Sequence, residues 1–163
     1  MLVSAALAAA PLQLTLERSV VRSVSEGERT VERLEAAPKT AEPGDLLEER
    51  LRVVNTTQGT LSNVRLDLPL PTAEVAGNNT RLATYLAGTA TPATHRWTLE
   101  FSYNGGKTFA AEPLYKTITV LEGGKNVQKR VKVAPEEYTH ARWTVKSIAP
   151  KETLIFGLRA RVR

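Results

Sequence analysis

Apolar and polar residues alternate along most of this chain, and that period of two constrains its fold more than any other feature. Leu12, Leu14 and Leu16 alternate with Gln13, Thr15 and Glu17. The pattern recurs at Leu47, Leu51 and Val53, at Val64 to Leu70, and at Trp97, Leu99, Phe101 and Tyr103. It returns at Ile118 and Val120, at Val131 and Val133, and at Trp143 and Val145. The last run is Leu154, Phe156, Leu158, Ala160 and Val162. Successive side chains of a strand point to opposite faces, so each run predicts one buried and one solvated face.

Turn residues separate the runs at short intervals. They include Glu26-Gly27, Pro43-Gly44-Asp45, Thr57-Gln58-Gly59, Asn104-Gly105-Gly106, Gly123-Gly124 and Ala149-Pro150-Lys151. Gly and Asn admit positive φ, and Pro fixes its own φ. Many short strands at this spacing predict an all-β, antiparallel β-sandwich of about nine or ten strands. Arg29 to Ala37 is charged and reads as the second arm of a hairpin closed at Glu26-Gly27, with a helical turn as the competing reading. Thr72 to Pro92 is polar and irregular apart from a candidate strand at Arg81 to Leu86. No linker or internal repeat divides the chain, so residues 12–163 read as one domain.

The start of the chain, MLVSAALAAA, is apolar and ends in small residues. Ala6-Leu7-Ala8 and Ala8-Ala9-Ala10 fit the small-x-small pattern before a signal cleavage site, although no Lys or Arg precedes Arg18. Residues 1–11 therefore read as a signal-peptide remnant, with a mobile or strand-paired tail as the other reading. The run is too short to span a bilayer.

Three ordered segments resemble a known family. The first is Pro43-Gly44-Asp45, then Leu47, Leu51 and Val53, then Asn55-Thr56. The second runs from Asn63-Val64 to Pro69-Leu70-Pro71. The third is Trp143-Thr144-Val145, Ile148-Ala149-Pro150 and the closing strand. Together they resemble the bacterial surface "conserved repeat" domain of unknown function, an immunoglobulin-like sandwich. The chain departs from that pattern at Glu49, where an aromatic is expected. Leu68 stands in place of an acidic residue, with Asp67 one position earlier. Lys151 stands in place of glycine. The resemblance implies an exported, non-enzymatic module of the periplasm or cell surface and names no ligand.

Zero cysteines remove thiol catalysis, disulfides and cysteine-ligated zinc. His95 and His140 are too few for a recognisable metal motif. No Gly-x-Ser-x-Gly or phosphate-cradling loop is present. Glu136-Glu137 reads as a solvated turn. Ser102 to Phe109 resembles an Asp-box hairpin with Asn at the acidic position, and a single copy reads as a structural turn. Asn55-Thr56-Thr57 and Asn78-Asn79-Thr80 match the glycosylation pattern by chance in a bacterial protein. No cofactor and no metal is expected.

Charge supplies the remaining signal. The net charge is +5. Lys125 to Arg163 holds ten basic and three acidic residues, so the other 124 residues sum to −2. Arg142, Lys146, Arg159, Arg161 and Arg163 fall on the polar phases of the last two runs. If those strands pair, they form one basic face open to DNA or acidic polysaccharide.

The expected function is a structural or interaction module of the bacterial envelope that contacts an envelope protein or itself. Assembly through sheet edges into a fibre or layer is one form of it, with Leu12 to Val24 as a strand donor. A polyanion-binding module using the basic C-terminal face is the alternative. An enzyme of unrecognised type is the remote one.

Overall fold

The computed structural model describes residues 10–36, 41–70, 72–75, 78–81 and 83–163. The apolar start at residues 1–9, together with Ala37, Pro71 and Leu82, lies outside them. Among the described residues there are twelve strands, all paired antiparallel, and no α-helix. The one helical turn is a short 3-10 segment at Pro135–Glu137.

Two sheets pack face to face. The first has the order β2-β1-β3-β12-β7, with β1 at Leu12–Glu26, β2 at Arg29–Ala36, β3 at Leu46–Asn55, β12 at Thr153–Val162 and β7 at Ala83–Tyr85. The second has the order β4-β11-β8, with β4 at Leu61–Pro69, β11 at His140–Ile148 and β8 at Trp97–Ser102. Two further hairpins stand alone: β5 (Thr72–Val75) with β6 (Asn78–Arg81), and β9 (Tyr115–Glu122) with β10 (Lys125–Lys132). Arg29 to Ala36 is strand, closed on β1 at Glu26↔Arg29. The irregular region after Thr72 contains three short strands where sequence reading gave one.

The core forms where the alternating faces meet. Leu47, Leu51 and Val53 of β3 and Leu154, Phe156 and Leu158 of β12 turn inward from the first sheet. Leu66 and Leu68 of β4 and Trp143 and Val145 of β11 turn inward from the second. The Trp143 ring lies 5.3 Å from that of Phe156, and its indole N–H donates to the Thr91 carbonyl at 2.9 Å. Tyr85, Phe101 and Tyr138 close the other end, with ring centroids 4.9 to 5.9 Å apart. Such pairs add about 0.5–1.5 kcal/mol beyond their buried area.

Two positions show why these residues specify these turns. Asn55 ends β3 fully buried. Its side-chain nitrogen donates to the carbonyls of Gly59, Ile148 and Ala149 at 2.8, 3.0 and 3.0 Å. Its Oδ1 accepts from the Thr57 backbone N–H at 2.9 Å. One side chain thus ties the β3–β4 turn to the β11–β12 turn. That burial also closes Asn55 to glycosylation. Lys151 occupies the left-handed region at φ 61, where the resemblance expects glycine. Its Nζ donates to the Thr56 carbonyl at 2.6 Å.

The structure corrects one expectation about β1. Leu14 and Leu16 do lie on the core-side face, opposite Val53 and Leu51. They are nevertheless 55% and 50% exposed. The second sheet has three strands against five and does not reach over them.

Candidate functional site

The expected single basic face does not form. β11 and β12 belong to different sheets, so their outward residues point away from opposite sides of the sandwich. Arg142 sits on the outside of the second sheet. Its guanidinium grips Asp67 at 2.6 and 2.7 Å and lies 3.6 Å from the centre of the Phe109 ring. This pairing holds the Asp67 carboxyl below the ordinary range. Lys146 is on the same strand and exposed. Arg159 sits on the outside of the first sheet, 3.0 Å from Glu48 and 2.8 Å from Glu32. Glu32 belongs to β2, with two strands between it and β12 in the sheet order, so the β1–β2 ribbon curls across the outer face. Arg161 donates to the Gly44 carbonyl at 3.3 Å, and Arg163 is exposed. Two of the five cations are therefore spent within the fold.

The histidines stay apart. His95 is exposed in the loop before β8. His140 begins β11 with Nδ1 3.0 Å from the Thr139 hydroxyl and its ring edge-on to Phe109. Burial lowers its pKa, opposed by Asp67. Among the described residues no group of three or more His, Asp or Glu side chains could hold a metal ion. Among the described residues no helix is long and apolar enough to cross a membrane.

Ser102 to Phe109 builds a turn. Asn104 Nδ2 donates to Thr108 Oγ1 at 2.8 Å, and Ser102 Oγ accepts from the Gly106 N–H at 3.0 Å. Gly105 and Gly106 take φ of 73° and 80°. The loop lays Phe109 against Arg142 and His140.

An open groove of about 390 Å³ runs along the outer face of β12, between Arg50, Ile155 and the loop Gly88–Pro92. Its hydroxyls are committed to the fold. Thr91 Oγ accepts from the Gly157 N–H at 2.8 Å, and Thr89 Oγ from the Arg159 N–H at 2.9 Å. Glu48 is held by Arg50 at 2.6 Å as well as by Arg159. No base stands beside a nucleophile there.

Glu49 is the buried charge that period-two phase places in the core. It is 0% exposed, in line with Leu47 and Leu51. Its Oε1 accepts from Arg18 Nε at 2.6 Å, while Oε2 has no partner among the described residues. Burial raises its pKa, and Arg18 opposes the rise. The folded state therefore binds the Glu49 proton at a pH where the unfolded chain has lost it. The resulting stability is present at low pH and is lost as pH rises from the unfolded value through the raised folded one. Arg18→Ala is expected to destabilise the protein by roughly 2 kcal/mol at pH 8, between the values for exposed and buried pairs. The loss should shrink at pH 3, below the ordinary glutamate range, where Glu49 is mostly protonated in both states. Urea melts of both proteins at the two pH values check this.

Part of the β1 edge is open among the described residues. Beyond β3, β2 pairs β1 only from Ser19 onward. The Thr56 N–H donates to the Pro11 carbonyl at 3.0 Å, which makes Pro11–Thr56 a hydrogen-bonded pair. Alternation then turns the main-chain groups of Leu12, Leu14, Leu16 and Arg18 away from β3. Among the described residues no strand meets them.

No family model matches this chain, and no curated protein or solved structure matches it.

Proposed function

We propose that this chain is a non-catalytic, immunoglobulin-like interaction module of the bacterial envelope, periplasmic or on the cell surface, that pairs with a second copy of itself through the edge of β1. One observation carries the pairing. Four main-chain positions that meet no strand among the described residues lie beside two half-exposed leucines on the core-side face. An exposed edge of this kind is a template for another strand. Antiparallel pairing centred on Thr15 sets Leu14 against Leu16 of the second copy and Leu12 against Arg18. The outward main-chain groups then meet each other, and both leucines extend the shared core. The reading of the compartment and of the immunoglobulin-like family is supported by the ordered Pro43-Gly44-Asp45, Asn55 and Trp143 segments. Fusion of the full chain to a phosphatase active only outside the cytoplasm tests the compartment.

The pairing is tested by sedimentation equilibrium of the full chain. It should be dimeric at high micromolar concentration. Leu14→Lys with Leu16→Lys places four like charges in the interface and should leave a folded monomer. A wild-type monomer at every concentration would sink the proposal.

A further inference from the structure

One arm of the fold carries a run of positive charge. Residues Tyr115 to Lys132 contain five basic residues and one acidic residue, a net charge of +4. They form the β9–β10 hairpin, which pairs with no other strand among the described residues. Every residue from Leu121 to Arg130 is exposed.

The two faces of the arm differ. One carries Lys116, tied to Glu137, and Lys129, tied to Glu122, among the half-buried Ile118, Val120 and Val131. The other is solvated throughout. There Arg130 lies 4.0 Å from the centre of the Tyr115 ring, and Lys132 pairs directly across from Tyr115. Thr117, Thr119 and Gln128 continue that face toward the tip. Among the described residues no carboxylate lies within salt-bridge distance of Arg130 or Lys132, in contrast to Arg142 and Arg159.

We propose that the β9–β10 arm binds an acidic polysaccharide along its solvated face. Arg130 and Lys132 stand about 6.8 Å apart along the strand and would meet successive acid groups. Thr117, Thr119 and Gln128 supply neutral donors and acceptors suited to sugar hydroxyls. Tyr115 is the only aromatic on the face and is already covered by Arg130, so the arm offers no row of rings for unpaired bases. Duplex DNA carries a charge every ~1.7 Å of axis, which favours a denser row of cations than this one.

The test measures binding of the full chain to polygalacturonate, neutral dextran and duplex DNA. Arg130→Glu and Lys132→Glu, the two cations on the solvated face, are combined in one variant and replaced by Gln in a second. Both variants are checked by thermal melting, and the Gln variant decides if the Glu variant is unfolded. Polygalacturonate should bind and weaken roughly tenfold between about 50 and 200 mM salt, as counterion release at a few acid groups requires. The Glu variant should lose at least about tenfold in affinity and the Gln variant less. Lys146→Glu with Arg161→Glu should bind as the wild type does. Equal binding of dextran, tighter binding of DNA, no binding at low salt, or undiminished binding by the folded variants would each overturn the proposal.

Discussion

Trp143→Ala should cost about 3–5 kcal/mol and lower the melting temperature by roughly 10 °C or more. The indole is wholly buried between the sheets. It packs on Phe156 and, through its N–H, anchors the loop at Thr91 that borders β12. The substitution therefore opens a cavity at the sheet interface and removes the donor from a carbonyl at the same time. Trp143→Phe separates the two effects. It keeps most of the volume and loses the hydrogen bond, so it should cost clearly less. Calorimetry of both variants checks the order. Equal losses would mean that the hydrogen bond, not the packing, carries the site.

Asn55→Ala is expected to cost roughly 3 kcal/mol or more, although the residue is small and polar. Its side-chain nitrogen serves three carbonyls and its oxygen serves the Thr57 N–H. Each buried polar group left without a partner costs about 1–3 kcal/mol. Asn55→Asp should be comparably damaging, since a carboxylate cannot donate to the three carbonyls. Chemical denaturation reads both. A loss below 1 kcal/mol, the ordinary level for one hydrogen bond, would show that water replaces the side chain.

The strands were legible because period two is dictated by backbone geometry. The inward phases of β3, β11 and β12 follow the sequence directly. The burial of Glu49 was not read there, because its polarity hid its position in phase with Leu47 and Leu51. Coverage was not legible. Alternation tells which face a residue is on and says nothing of how wide the opposite sheet is. Leu14 and Leu16 have the correct phase and lie beyond the three-stranded sheet. Sheet membership was hidden for a similar reason. β11 and β12 are adjacent in sequence and joined by a short turn, which suggests a hairpin. The turn at Ala149-Pro150-Lys151, tied back to Asn55 and Thr56, instead carries the chain from one sheet to the other. The basic residues were thereby divided between two outer faces. The unpaired charge on β9 and β10 could be counted in the sequence. Its place on a hairpin that pairs with no other described strand required the sheet order.

The central claim is that β1 presents a free edge which a second copy fills. Amide hydrogen exchange at Leu12, Leu14, Leu16 and Arg18, followed as the protein is diluted, tests it most directly. In dilute solution these four amides should exchange rapidly, while those of Gln13, Thr15 and Glu17, turned toward β3, stay protected. At high concentration the first set should slow toward the second. Exchange of the four amides that is independent of concentration, fast or slow, would contradict edge pairing through β1.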